Sequence, residues 1–325
     1  MKRRAIVAIV LACLAVAPGS VPVAPSVASA GPAGIEEAIR RAEDWVATVR
    51  VGPFAGTVRS FRRFALETEI WHRLWRLAPT DAERARFAGE VRSRLQRVLD
   101  RQRLQAILEL PEGTDTFTEM LILADRCRTH GLDPAPIAEA MSNHRGALRS
   151  EIDRAPPSIQ ALYAVYLEAV GSPIRLDREE VLSRGMLVRR PREADLTLAD
   201  VYYLTHEVFA LCDYGLSPMR SLSEEAEAYL LRVLPFYTLF YGRLQKNDIV
   251  GELLVCLHAA GMRDTYAYRE GIRLLLERQA VDGSFGDGPS TVLGGEPSDR
   301  LHATLNAVTA LALERGTSDA PRSAP

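Results

Sequence analysis

The sequence predicts an all-α protein built from repeated helix pairs. Three observations predict it. Apolar residues recur at helical spacing along nearly the whole chain, and no segment alternates apolar and polar residues in the manner of a strand. A glycine recurs after an apolar helical run at Gly131, Gly171, Gly215 and Gly261, with spacings of 40, 44 and 46 residues. A Gln279-Ala280-Val281-Asp282-Gly283-Ser284-Phe285-Gly286 segment marks a tight turn between the last two helices.

In chain order, residues 35–49 form a first helix, with Ile35, Ala38, Ile39, Ala42 and Val46 on one face. A second spans 59–77, with Phe61, Phe64, Ile70, Trp71 and Leu74 as its apolar members. Thr80 with Glu83 is a capping-box start for a third, 81–108. From residue 114 the repeat takes over. One helix of each pair ends at the recurring glycine: 119–130, 159–170, 201–214 and 251–260. Glycine there supplies the left-handed conformation that closes a helix, and proline soon after three of the four stops it from resuming. The other helices begin after the turn: 137–148, 178–187, 222–240 (capped by Ser221 with Glu224) and 266–279, and a last one covers 301–313. Periods of this length mean stacked helix pairs.

The ends read differently. Lys2, Arg3 and Arg4 precede an apolar run over 5–17, and Ala28-Ser29-Ala30 follows a Pro/Ser-rich stretch. This is the pattern of a cleaved secretory signal, and the run is too short for a span of roughly 20 residues. A lipoprotein site at Cys13 is the minority alternative. Without Lys2, Arg3 and Arg4 the formal charge moves from −2 to −5. An acidic chain is a poor partner for nucleic acid, which selects basic surfaces. Cys127, Cys212 and Cys256 remain, an odd number set in apolar helical patterns, which fits buried thiols better than a disulfide framework. Residues 315–325 read as a polar, disordered tail.

The Gln279–Gly286 segment resembles the Q-x-x-D-G-S-W/F turn of the terpene-cyclase and prenyltransferase β-subunit superfamily. The resemblance implies an α/α-toroid, partial or complete, with helix pairs around a central cavity. It gives Gln279, Asp282, Gly283 and Phe285 structural roles in the turn. The superfamily's acidic D-x-D-D motif and its zinc-binding Asp-x-Cys are absent, so no chemistry is carried over. Tyr202-Tyr203-Leu204-Thr205-His206, ahead of Gly215, resembles a segment of uncharacterised bacterial helical domains of unknown function.

Aligning the helices on Gly215 and Gly261 places His206 opposite Glu252, and His302 stands early in the final helix. In a toroid these residues would gather at one mouth of the cavity. Helical phase adds Tyr202, Phe209 and Asp213 to the face of His206, and Asn306 to that of His302. Three readings of His206, Glu252 and His302 stay open. They hold a metal, since two histidines and a glutamate form a known catalytic zinc set. They act as acid and base without metal. Or they are buried polar groups that join helices or touch a ligand, which is the preferred reading.

The organisation expected is a signal peptide over 1–30, an N-terminal helical region over 31–113, toroid-like repeats over 114–314 and the tail. The function expected is an exported binding or scaffold protein with a concave cavity for a small molecule, peptide or glycan. The alternative is a toroid enzyme (a hydrolase, lyase or cyclase) with an acid–base or zinc site at the cavity mouth. Zinc is admitted as a cofactor but not favoured.

Overall fold

The structure is a computed structural model that describes residues 32–49, 57–110, 116–220, 222–288 and 297–318. The signal segment 1–30 with Cys13, and residues 319–325 of the tail, lie outside the described residues. The described residues are helical and contain no strand.

Six helices form an inner ring. They are α2 (Val58–Arg76), α5 (Phe117–Thr129), α8 (Pro157–Ala169), α11 (Leu198–Cys212), α13 (Asn247–Ala259) and α15 (Pro297–Ser318). Each packs against the next, and α15 returns to pack on α2, which closes the toroid. One member of the ring, α2, therefore comes from the N-terminal region.

Burial separates the layers. In α13 every residue from Ile249 to Leu257 is buried, as expected for a helix with neighbours on all sides. The outer helix α14 (Tyr266–Arg278) buries one stripe, Ala267, Tyr268, Gly271, Ile272 and Leu275. Other outer elements are α1 (Pro32–Thr48) against α14 and α15, α3 (Asp81–Val98) against α2, and α12 (Glu224–Arg243) against α13.

The repeat glycines work as their spacing implies. Gly131, Gly171 and Gly261 have φ of 73°, 67° and 72°. After each, the next amide reaches back to close the helix, as from Leu132 N to Cys127 O at 2.8 Å. At Gly215 the turn is tighter: Asp213, Tyr214 and Gly215 are all left-handed, with φ of 47°, 56° and 78°.

Several boundaries differ from expectation. The helix expected over 81–108 breaks near Leu99, because the Asp100 carboxylate caps a fresh start, α4 (Arg101–Leu108). The helix expected over 178–187 splits into α9 (Arg178–Ser183) and α10 (Met186–Arg189). Glu207 reaches across to cap the second piece, accepting from Met186 N at 2.6 Å and Leu187 N at 3.2 Å. The cap of α12 is Ser223, which accepts from Ala226 N. The final helix runs on to Ser318, past the expected end at Leu313, and Arg315 is buried with bonds to Leu77 O and Glu36. His130 is buried against His72, with Nδ1 of His72 3.2 Å from Nε2 of His130. Cys127, Cys212 and Cys256 are buried free thiols.

The Gln279–Gly286 turn is an anchor. Gln279 Nε2 donates to Ala38 O at 2.7 Å and to Gly283 O at 2.8 Å. Asp282 accepts from the backbone and hydroxyl of Ser284 and from Arg300. Phe285 is fully buried. Gly283 has φ of 93°, and a Cβ there would lie 2.1 Å from Arg41 O, so the turn sits directly on α1.

Candidate functional site

Three inner helices supply a polar cluster on the cavity wall. Asp248 and Glu252 lie four residues apart on α13, one turn of a single face. His302 and Asn306 occupy the matching turn of α15. Thr205 and His206 come from α11. Gly251 permits the approach of α13 to α15: a Cβ there would lie 2.8 Å from the Asn306 carbonyl carbon and 2.9 Å from Ala307 N. Small residues let helix backbones close in this way.

His302 is held by Asp248. Its Nδ1 lies 2.9 Å from Asp248 Oδ1, and its Nε2 lies 3.9 Å from Glu252 Oε1. Asp248 also accepts from Asn306 Nδ2 at 2.9 Å and from the Tyr202 hydroxyl at 2.7 Å. Burial would raise the Asp248 carboxyl, but the His302 charge and these three hydrogen bonds outweigh it and hold it down to about 2. Burial in turn works against the His302 cation, yet Asp248 beside it lifts His302 to about 9. At neutral pH the two form an imidazolium–carboxylate pair. The His302 ring still opens on the cavity, with 37% of its side chain exposed.

Glu252 is 1% exposed. It accepts from Thr205 Oγ1 at 2.5 Å and from Asn306 Nδ2 at 3.3 Å. Burial raises its carboxyl, helped by the Asp248 charge and opposed by His206 and His302. His206 lies 3.7 Å from Glu252 through Nδ1, and the same nitrogen lies 2.7 Å from Tyr202 O. In the neutral ring Nδ1 therefore carries the proton, and Nε2 keeps its lone pair.

The cavity beside this cluster measures about 220 Å³ and is lined from five of the six inner helices. That is room for roughly a dozen waters or more at about 10–15 Å³ each. His206, Glu252, His302, Asn306 and Phe209 all line it. Phe209 sits between His206 and Tyr214, with ring centroids 5.7 and 4.7 Å away. Tyr202 reaches the cluster through its hydroxyl. Asp213 does not join the wall. It occupies the left-handed position at the end of α11 and pairs with Arg76 at 3.5 Å.

The neighbouring helix α2 adds Glu69 and Arg73 to the lining, which spacing had not singled out. Arg126 of α5 grips Glu69 with Nε at 2.9 Å and Nη2 at 3.0 Å, and Arg73 Nε adds a bond at 3.1 Å. Burial opposes the Glu69 charge, but the two guanidiniums hold its carboxyl well below the usual range.

Asp248, Glu252 and His302 also satisfy the geometry of a metal site, with one ligand atom from each within 4.8 Å of the others. A histidine with two carboxylates suits zinc and other divalent metals. The hydrogen bond from His302 Nδ1 to Asp248 is the kind that orients a ligating imidazole and leaves Nε2 for a metal. The donor set thus fits an ion, with zinc among the candidates.

Fold and site together define an all-helical toroid with a carboxylate–histidine cluster facing its central cavity. The chain belongs to the family described as DUF6895, a domain of unknown function, whose model matches residues 38–300. None of the curated proteins matches it. Among the described residues no helix is long and apolar enough to cross a membrane.

Proposed function

We propose that the protein is an enzyme that cleaves a small polar substrate, by hydrolysis or elimination, through acid–base chemistry in its toroid cavity. One observation carries the reading: Asp248 fixes His302 as a buried-end imidazolium whose Nε2 faces both the cavity and Glu252. A histidine held cationic beside a carboxyl raised by burial is a division of labour between acid and base. His302 donates a proton or stabilises developing negative charge on the substrate. His206 offers its Nε2 lone pair as base, and Glu252, 3.7 Å from its Nδ1, stabilises the imidazolium that forms. Tyr202, Thr205 and Asn306 position the carboxylates and do not reach the substrate themselves, apart from the cavity edge of Asn306.

The 4.8 Å ligand spacing supports a second form of the same site, in which His302, Glu252 and Asp248 would hold a divalent ion and the ion would lower the pKa of a water for attack. Either form is better supported than a passive scaffold, because a scaffold has no need for an oriented imidazolium facing a cavity. The signal pattern of residues 1–30 supports placing this activity outside the cytoplasm.

The test is a screen of the purified protein, with and without chelator and added zinc, against chromogenic esters, glycosides, peptides and uronate-type elimination substrates. Turnover that falls about 10²–10⁴-fold in His302→Gln and Glu252→Gln supports the reading. Turnover indifferent to both variants, or none across the panel, counts against it.

A further inference from the structure

Two buried arginines share one carboxylate in the α2–α5 wall of the cavity. Glu69 is the shared partner of two buried arginines, Arg73 and Arg126, each 2% exposed. The second carboxylate there, Asp125, is divided between Arg126 at 2.6 Å and Arg128 at 3.2 Å. Arg128 stands in solvent with 59% of its side chain exposed, so the buried wall holds two guanidiniums, Arg73 and Arg126, and two carboxylates, Glu69 and Asp125. Arg76 and Asp213 cancel each other. His302 is matched by Asp248. Arg126 takes both Glu69 and Asp125, which leaves Arg73 with a single ion-pair contact, through Nε to the carboxylate it shares.

Arg73 is also oriented for use. Its Nε donates to Glu69, and its Nη1 makes a long 3.4 Å bond to Thr309. Of the five N–H donors of a guanidinium, three stay uncommitted, including both on Nη2. Its plane is fixed over the Tyr214 ring, 4.2 Å from the centroid, and the residue lines the cavity. A buried, pre-oriented guanidinium edge that opens on a cavity recognises a planar anion.

We propose that the cavity's ligand is a small organic carboxylate, and that Arg73 binds its carboxylate group. The inference rests on the reading of this cavity as the substrate site. The open edge of one guanidinium suits one planar monoanion, and Glu69, Glu119 and Glu252 in the walls disfavour a phosphate dianion. With the carboxylate on Arg73, the rest of the molecule extends toward His302 and Glu252. Arg73 is thereby a specificity residue that admits acids over their neutral counterparts.

The experiment uses the full mature chain labelled with ¹⁵N-arginine, treated with chelator. The Arg73 Nε–Hε resonance is followed by NMR while sodium acetate or sodium lactate is added to about 50 mM, well beyond the roughly millimolar constant available to so small a ligand. Sodium chloride, acetamide and sodium phosphate are the controls. The expected result is a saturable shift with acetate and lactate and none with acetamide or chloride, with phosphate weaker than either carboxylate. Arg73→Gln should weaken lactate binding about tenfold or more. The wild-type titration decides the matter even if that variant does not fold. A linear drift shared with surface arginines, an equal response to acetamide, or tighter binding of phosphate overturns the proposal. Carboxylate binding without turnover that depends on His302 would leave the anion site standing and remove the catalytic reading. Turnover without carboxylate binding would do the reverse.

Discussion

Replacing Asp248 with asparagine removes one charge from the centre of the site and almost no volume. The asparagine oxygen can still accept from His302, and its amide can donate to the Tyr202 hydroxyl, so the fold should survive. What is lost is the anion that holds His302 protonated. In the wild type His302 stands at about 9 against an ordinary value of 6.5. With Asp248 neutral, burial and the Arg73 charge both push the ring down, and only Glu252 pulls it up. His302 should then titrate near or below 6.5. The stability effect follows from the Asp248 side, where the carboxyl falls from 3.8 to about 2. At 1.36 kcal/mol per pH unit this is about 2 kcal/mol. The His302 shift reports the same interaction on a ring that is 37% exposed, so it is not added. With about 2.1 cal/mol/K of unfolding entropy per residue, a protein of this size should lose roughly 3–4 °C in Tm. The pH window follows from the signs. Asp248 has a lowered pKa, so its contribution is present above 3.8 and lost as pH falls through 2. His302 has a raised pKa, so its contribution is complete below 6.5 and lost as pH rises through 9. The gap between wild type and Asp248→Asn should be flat between about pH 4 and 6.5 and fade toward pH 9. Histidine-ring NMR titration and thermal unfolding against pH, on chelated protein, measure both quantities. A wild-type His302 midpoint near 6.5, or one that Asp248→Asn leaves in place, refutes the pairing.

Three further outcomes are expected. Gly251→Val would drive a side chain into the Asn306 and Ala307 backbone, 2.8–2.9 Å from its Cβ, and should cost about 1–3 kcal/mol or more, read by denaturant unfolding. Zinc added to chelated protein should bind near one equivalent by elemental analysis if the divalent form of the site exists, and Glu252→Gln should abolish it; binding that survives Glu252→Gln places the ion elsewhere. The mass of the exported protein should begin at Gly31, whereas a lipid-bearing mass beginning at Cys13 would replace the signal-peptide reading with the lipoprotein one.

The helical repeat was legible because its signals are local. A glycine after an apolar run closes a helix by its own backbone preference, and Gly131, Gly171 and Gly261 do so. Aligning successive helices by 46 residues put His206 and Glu252 at related positions, and the structure brings them to 3.7 Å. Asp248 was missed although it is one turn before Glu252 and shares its face. The alignment compared one titratable residue per helix, and Asp248 makes its contacts to Tyr202, His302 and Asn306, all on other helices. Asp213 was placed on the cavity face by helical phase, but the helix ends beneath it, and its left-handed backbone turns it toward Arg76. Glu69 and Arg73 could not be found by repeat alignment, because α2 precedes the glycine repeat and joins the ring through its contacts with α5 and α15. The break before Met186 has a similar cause. It depends on Glu207, twenty-one residues away, which occupies the space that a Cβ on Gly185 would need.

The central claim is that His302 and Glu252 act together on a substrate in the cavity. The most direct measurement is a double-mutant cycle on kcat/KM, with His302→Gln, Glu252→Gln and their combination, for the substrate that the screen identifies. The account predicts that each single variant loses nearly as much as the pair, since residues that work as a unit are strongly non-additive. Losses that simply add, or a Glu252→Gln enzyme that works as well as the wild type, would contradict it.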